Sequence, residues 1–294
     1  MTDGLIETSV AHDNGGNGTN SAGPVGIWTY LSTRVTIQYN ESYANHAKLQ
    51  DGDGFDLDIG VTDSVMQYNY SHDNDGAGLI LCQSGSDPWS DNVVRYNVSV
   101  DDARKQKMGS LTWCDFGPGP GLKNSRVYGN TIVNAHGPAI NPTLLATSTG
   151  HVVFNNIFVT ANGQPVVWNW NGVTTAGRVA FTGNLYWSSG VAADFEGSPT
   201  LEAWRAAQGQ ETIDGAVVGQ FVDPQLVAYA PACASRGKTA VPRTPALRLD
   251  AGSPAIDAGL APGDFVMDPG AHDFWGAPLP QGPAFDVGAE ERLQ

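Results

Sequence analysis

The densest concentration of residues able to do chemistry runs from Asn45 to Asp58, Asn-His-Ala-Lys-Leu-Gln-Asp-Gly-Asp-Gly-Phe-Asp-Leu-Asp. Alternation along an extended chain sends Phe55 and Leu57 to one face and Asp56 and Asp58 to the other, with Cα atoms about 7 Å apart. Two carboxylates so placed repel one another, so one holds a raised pKa or both share a cation. The pair therefore suits either a general acid with its base or nucleophile, or a calcium ion. Asp51, Asp53 and Asp75 are the further carboxylates such an ion would use. Asp51-Gly52-Asp53-Gly54 looks like the start of a calcium loop, but Thr62 stands where the bidentate Glu of an EF-hand would be, so that motif is rejected. Strand interiors disfavour Asp, which argues for a role at Asp56 and Asp58. Isolated residues such as Asp63 and Asp91 read as turn formers.

The positions next in line are His72, flanked by Asp73 and Asp75, and the basic run Arg104, Lys105 and Lys107. Acidic neighbours raise a histidine pKa and suit it to proton transfer. The basic run could neutralise an acidic sugar or simply be a solvated loop.

These residues need a scaffold, and the repeat supplies it. Strands ending in an aromatic residue and Asn recur as Val35-Thr36-Ile37-Gln38-Tyr39-Asn40, Ser64-Val65-Met66-Gln67-Tyr68-Asn69 and Asn92-Val93-Val94-Arg95-Tyr96-Asn97, with looser copies ending at Asn130, Asn156 and Asn184. A spacing near thirty residues built of strands is one coil of a β-solenoid. Each Asn precedes a second short strand, so it is expected at a sharp corner, in left-handed backbone, with its amide in a ladder between coils. A third strand then opens at Gly or Pro, as in Gly26-Ile27-Trp28-Thr29-Tyr30, Gly54-Phe55-Asp56-Leu57-Asp58, Gly78-Leu79-Ile80-Leu81-Cys82 and Gly109-Ser110-Leu111-Thr112-Trp113. Three strands per coil close a triangular tube.

These motifs resemble the pectate-lyase-like superfamily of single-stranded right-handed parallel β-helices, over coils from about residue 1 to 195. Residues 196–294 are similar to the C-terminal end of secreted bacterial β-helix proteins: a helix start at Ser198-Pro199-Thr200, a last coil, and a segment expected to cap the open core end. The resemblance implies an all-β fold and a groove along the Gly-started strands. It implies polysaccharide cleavage there, by calcium-assisted β-elimination with Arg104, Lys105 or His72 as base. Catalytic candidates are thus Asp56, Asp58, His72, Arg104 and Lys105. Trp28, Tyr30, Lys48 and Trp113 are candidates for substrate contact, since pyranose rings stack on flat side chains. Trp28 and Tyr30 fall in step with Asp56 and Asp58 one coil on, whereas Trp89 and Trp113 are more often packing residues.

Composition narrows the alternatives. The 294 residues carry 30 acidic and 15 basic side chains, a net charge of −15, which disfavours nucleic acid and anionic membrane surfaces. No apolar run is long enough to span a bilayer, and residues 1–7 lack a signal-peptide pattern, so a secreted or cell-surface monomer is expected with its export signal upstream. Aligning Leu79 with Leu111 puts Cys82 beside Cys114, and the poor disulfide torsions of stacked parallel side chains favour two free thiols. A glycoside hydrolase using the paired aspartates is the alternative function, and a noncatalytic carbohydrate-binding solenoid the third.

Overall fold

Hydrophobic alternation and repeat length together produce a parallel solenoid. The computed structural model describes residues 1–16, 23–105, 108–190, 192–227, 247–265 and 267–293. Its principal sheets contain seven, eight and five strands, each pairing in parallel with the equivalent strand of the next coil. The first sheet runs from Leu5–Glu7 to Val179–Thr182, and the second from Val10–His12 to Gln220–Phe221. The third comprises Val25–Thr29, Asp53–Leu57, Leu79–Gln83, Leu111–Asp115 and Ile140–Thr143. Ile37, Met66, Val94 and Val127 of the first sheet meet Phe55, Leu57, Leu79 and Leu111 of the third inside the tube.

The corners carry the repeat. The amide of Asn40 donates to Asn69 at 3.0 Å, Asn69 to Asn97 at 3.0 Å, Asn97 to Asn130 at 3.0 Å, Asn130 to Asn156 at 2.9 Å and Asn156 to Asn184 at 2.9 Å. Asn184 donates to the Glu211 carboxylate at 2.8 Å, and the ladder stops there. The left-handed backbone expected at these Asn residues instead belongs to the residue before each: Tyr39, Tyr68, Tyr96, Gly129, Asn155 and Gly183. The Asn itself is then free to point inward and bond along the stack.

A second ladder, absent from the sequence reading, stands at the corner between the second and third sheets. Asn14 donates to Asn45, Asn45 to Asn74 and Asn74 to Asp102, each at 2.8 Å. It explains why the third strand opens with glycine, since a Cβ at Gly78 would lie 2.3 Å from an Asp102 carboxylate oxygen.

The C-terminal region differs from expectation in where it packs. The core end is closed by helix Leu201–Gln208, capped at Thr200, whose Leu201 and Trp204 join Phe195 and Tyr186 in the core. Residues from Leu247 onward instead cover the flanks. Leu249, Ala255, Phe274 and Val287 pack on Val98, Val133 and Ile157 of the second sheet, while Phe265 and Met267 lie against Tyr96, Tyr128 and Phe154 of the first. From Val98 onward most outer side chains of the second sheet are apolar, among them Val100, Val133, Ile157, Val159 and Leu185, and this is the surface that needed covering.

The thiol expectation is also corrected. Cys82 and Cys114 do occupy equivalent rungs, but they are joined as a disulfide; their Cα atoms are 4.4 Å apart, at the near limit of what a disulfide accepts. Cys233 lies outside the described residues.

Removing residues 221–294 should strip the second sheet of its cover while leaving the core plug in place. The 1–220 fragment is expected to retain strand content but to bind an apolar dye and associate on size-exclusion chromatography. A soluble monomer that unfolds cooperatively would contradict this account.

Candidate functional site

Among the described residues, the C-terminal segment packs on the first and second sheets, leaving the outer face of the third, where most of the expected chemistry lies. Register sets the columns. Trp28 pairs with Asp56, Asp56 with Ile80, Ile80 with Thr112, and Thr112 with Asn141; the Ile140–Val167 bridge puts Trp168 next. In the neighbouring column Tyr30 leads to Asp58, then Cys82, Cys114 and Thr143, the Asp58 amide bonding the Thr29 carbonyl at 3.0 Å.

Trp28 and Tyr30 are about half exposed, at 48% and 46%, with ring centroids 6.1 Å apart. They form an aromatic platform beside the two aspartates. Asp56 is buried and its Oδ1 has no hydrogen-bond partner. Burial, reinforced by the negative charge of Asp58, pushes its carboxyl well above the usual range. Asp58 is less buried, and burial raises its pKa too. The two aspartates share one face, and the deeper one is held further above the usual carboxylate range than its neighbour.

A cleft of about 300 Å³ opens further along the face, over Thr112, Asn141 and Thr143, with Leu49, Asp51, Lys105, Met108 and Trp170 around its rim. Leu49, Gln50 and Asp51 from one loop and Lys105 and Met108 from another wall it. Lys48 is exposed on the first of these loops, and Lys107 lies outside the described residues. Phe116 and Trp170, both 58% exposed, flank the cleft and were not singled out from the sequence. Each is one more exposed aromatic on a face already carrying Trp28 and Tyr30.

Two expected site residues fall elsewhere. Trp113 shares the alternation of Leu111, so its indole lies in the core and donates to Ser125 Oγ at 3.1 Å; Trp89 is likewise buried and donates to the Leu57 carbonyl at 2.9 Å. His72 belongs to the second sheet, stacked between the rings of Tyr43 and Tyr70 at 4.8 and 4.5 Å, and so does not meet Asp56 and Asp58. Its Nδ1 contacts Asp73 at 2.9 Å and its Nε2 contacts Glu41 at 3.1 Å. Burial opposes protonation of this imidazole, yet the two carboxylate bonds outweigh it and raise the pKa to about 9. Asp73 in turn pairs with Arg104, and Asp75 lies 3.5 Å from Lys105 Nζ.

The carboxylates expected to hold calcium are occupied separately. Asp51 accepts from the Gly23 amide, Asp53 from the Ala77 amide, and Asp75 from the Ala47 amide at 3.1 Å. Among the described residues no three His, Cys, Asp or Glu side chains converge as a metal site. Each of the three thus makes its own backbone contact, and no step is derived through calcium.

No family model matches the chain. A curated relative, the lacto-N-biosidase of Bifidobacterium longum subsp. longum, is 28% identical over 271 residues, which cover 90% of this chain and 15% of that protein. The crystal structure of pectate lyase Pel9A superposes with a TM-score of 0.60 at 16% identity, covering 99% of this chain and 66% of that one. The fold is that of a pectate-lyase-like parallel β-helix. The chain thus spans a small part of the biosidase and just under two thirds of the lyase. No helix is long and apolar enough to cross a membrane among the described residues.

Two stability measurements follow from these environments. The folded-state pKa of His72 lies above its ordinary value, so its stabilisation is complete below about pH 6.5 and is lost as pH rises through about 9. Replacing His72 with Gln should remove roughly 3 kcal/mol of the stability change between those limits, read as a flatter Tm profile. Asp56 works the other way at neutral pH: raised above 3.8, it favours folding only when protonated. Asp56→Asn should therefore raise Tm at pH 7 by roughly 2 °C or more, with the gain vanishing below about pH 4.

Proposed function

We propose that this β-helix is a carbohydrate-cleaving enzyme module that hydrolyses a glycosidic bond on the outer face of its third sheet. The observation that carries the reading is the register itself: an exposed Trp28–Tyr30 platform stands one rung from a buried Asp56, whose carboxyl burial raises, and a half-buried Asp58. Asp56 is the general acid, donating its proton to the departing glycosidic oxygen. Asp58, more open and more readily ionised, acts as the base or nucleophile at the sugar carbon. Trp28 and Tyr30 hold the sugar by stacking on its apolar face.

Similarity to a protein named as a lacto-N-biosidase, over nine tenths of this chain, supports glycoside hydrolysis as the chemistry. The Cys82–Cys114 disulfide supports an oxidising compartment and hence export.

The test is a panel of neutral and uronate glycans followed by both reducing-sugar release and ultraviolet absorbance. Hydrolysis gives the first signal without the second; an unsaturated, absorbing product would replace this mechanism with elimination. Asp56→Asn and Asp58→Asn should each lower turnover by roughly a hundredfold or more while the protein stays folded. Chelation should leave the wild type unaffected, and activity that returns only with added calcium would reinstate the metal. Full activity in both variants would move the reacting centre away from this pair.

A further inference from the structure

Away from the third sheet, the outer face of the first carries a cleft of about 580 Å³ that the carbohydrate reading does not use. Register builds its floor from two columns. Val65 pairs with Val93 and Val93 with Arg126, while Gln67 pairs with Arg95 and Arg95 with Tyr128. Met66, Val94 and Val127 between them belong to the core, so the members of both columns stand outside. The C-terminal segment supplies the opposite wall: Phe265, at the end of the short helical turn Pro262–Phe265, lies against Phe154 at 4.5 Å, and Met267 and Asp268 follow. Val65, Val93, Phe265 and Met267 are half-buried, so the segment arches over the sheet without filling the space. A cleft of this volume with apolar walls and few polar groups, at the junction of two layers, is the form of a small-molecule site.

Its polar groups are chiefly two guanidiniums. Arg95, its side chain only 10% exposed, donates through Nε to Gln67 at 2.8 Å and through Nη1 to the Tyr128 hydroxyl at 3.1 Å and the Asp268 carbonyl at 2.7 Å. Its charge is matched, since the Asp268 carboxylate lies 3.4 Å away. Arg126, one coil on, donates from Nη1 to the Ser125 and Gly150 carbonyls at 3.3 and 2.7 Å, and among the described residues no acid pairs with it. None of these bonds uses Nη2 of either residue, so donors of both forks remain. Two arginines against one aspartate leave the lining with net positive charge, in a chain whose net charge is −15. The buried His151 imidazole feels the same field: its pKa is pushed down to about 3, by burial first and then by Arg126 and Lys123.

We propose that this cleft binds an amphipathic organic anion, a carboxylate carried on an apolar body, with the head group held by Arg126 and Arg95 and the body against Val65, Val93, Phe265 and Met267. A planar fork of N–H donors matches a carboxylate, and the half-buried walls reward an apolar body that a bare anion lacks. The site lies on a different sheet from Asp56 and does not rest on the carbohydrate reading. Titration calorimetry with the intact protein would compare phenylbutyrate with phenylbutanol, octanoate with octanol, and both acids with acetate. At about 20 mM salt at least one of the two long carboxylates should bind roughly tenfold more tightly than its alcohol and than acetate, and the margin over the alcohol should narrow at about 0.5 M salt. Arg126→Gln, with an unchanged circular dichroism spectrum, should erase the margin over the alcohol, whereas Met267→Ala should weaken acid and alcohol alike by roughly threefold. Preference for phenylbutyrate alone identifies an aryl body, and preference for octanoate alone an alkyl chain. Equal binding of acid and alcohol would reduce the cleft to an apolar crevice, and acetate binding as tightly as the long acids would reduce it to a bare ion contact. Either result, silence from both long carboxylates, or a margin that survives Arg126→Gln would overturn the site.

Discussion

Every rung of this molecule depends on a corner at which one residue turns left-handed and the next sends a buried polar side chain along the stack. At the first corner those pairs are Tyr39–Asn40, Tyr68–Asn69 and Tyr96–Asn97; at the second they are Ala44–Asn45, Asp73–Asn74 and Asp101–Asp102. An amide inside a solenoid must find both donor and acceptor partners, and here they recur on the neighbouring coils: the equivalent residue on one side and a backbone carbonyl on the other. Satisfying the side chain therefore fixes the strand register, and register fixes which residues share a column. The adjacency of Trp28 to Asp56 is a consequence of corner chemistry on the opposite side of the coil.

Where the ladders end, the chemistry changes from amide to carboxylate. Glu211 closes the first and Asp102 the second, and each only needs to accept. Burial raises the pKa of both, to about 7 and about 6, against the hydrogen bonds that favour their charged forms. These are acids with a structural use, and they show that a perturbed carboxyl in a β-helix is not by itself a sign of catalysis. What separates Asp56 is its unpartnered oxygen and its position on the uncovered face.

The coil was legible because Tyr-Asn recurs in nearly unchanged form, and because Phe55 and Leu57 alternate cleanly with their acidic neighbours. The second ladder was hidden by its composition: its preceding residues are Asp, Ala, Asp and Asp, and its last member is Asp102, so it merged with residues read as reactive. Trp113 was readable from its parity with Leu111, which outweighs the appeal of an aromatic near a groove. The placement of His72 was not readable in that way, since parity tells inside from outside but not which of three faces a strand joins. Nor could the sequence say that the C-terminal segment lies along the flanks. Only the outward columns through Val98 and Ile157 and through Val100, Val133 and Val159 ask for such a cover, and they are spread over three coils.

That cover has a consequence in time. The coils stack from neighbours about one repeat apart, but the bonds that finish the flanks join Tyr39 to His272 and Thr131 to Ala289 across 233 and 158 positions. During synthesis the tube can close coil by coil while its side stays bare until nearly the whole chain has emerged. The third-sheet face is thus the last of the three to become distinctive, since until then another side of the tube is just as accessible and more apolar.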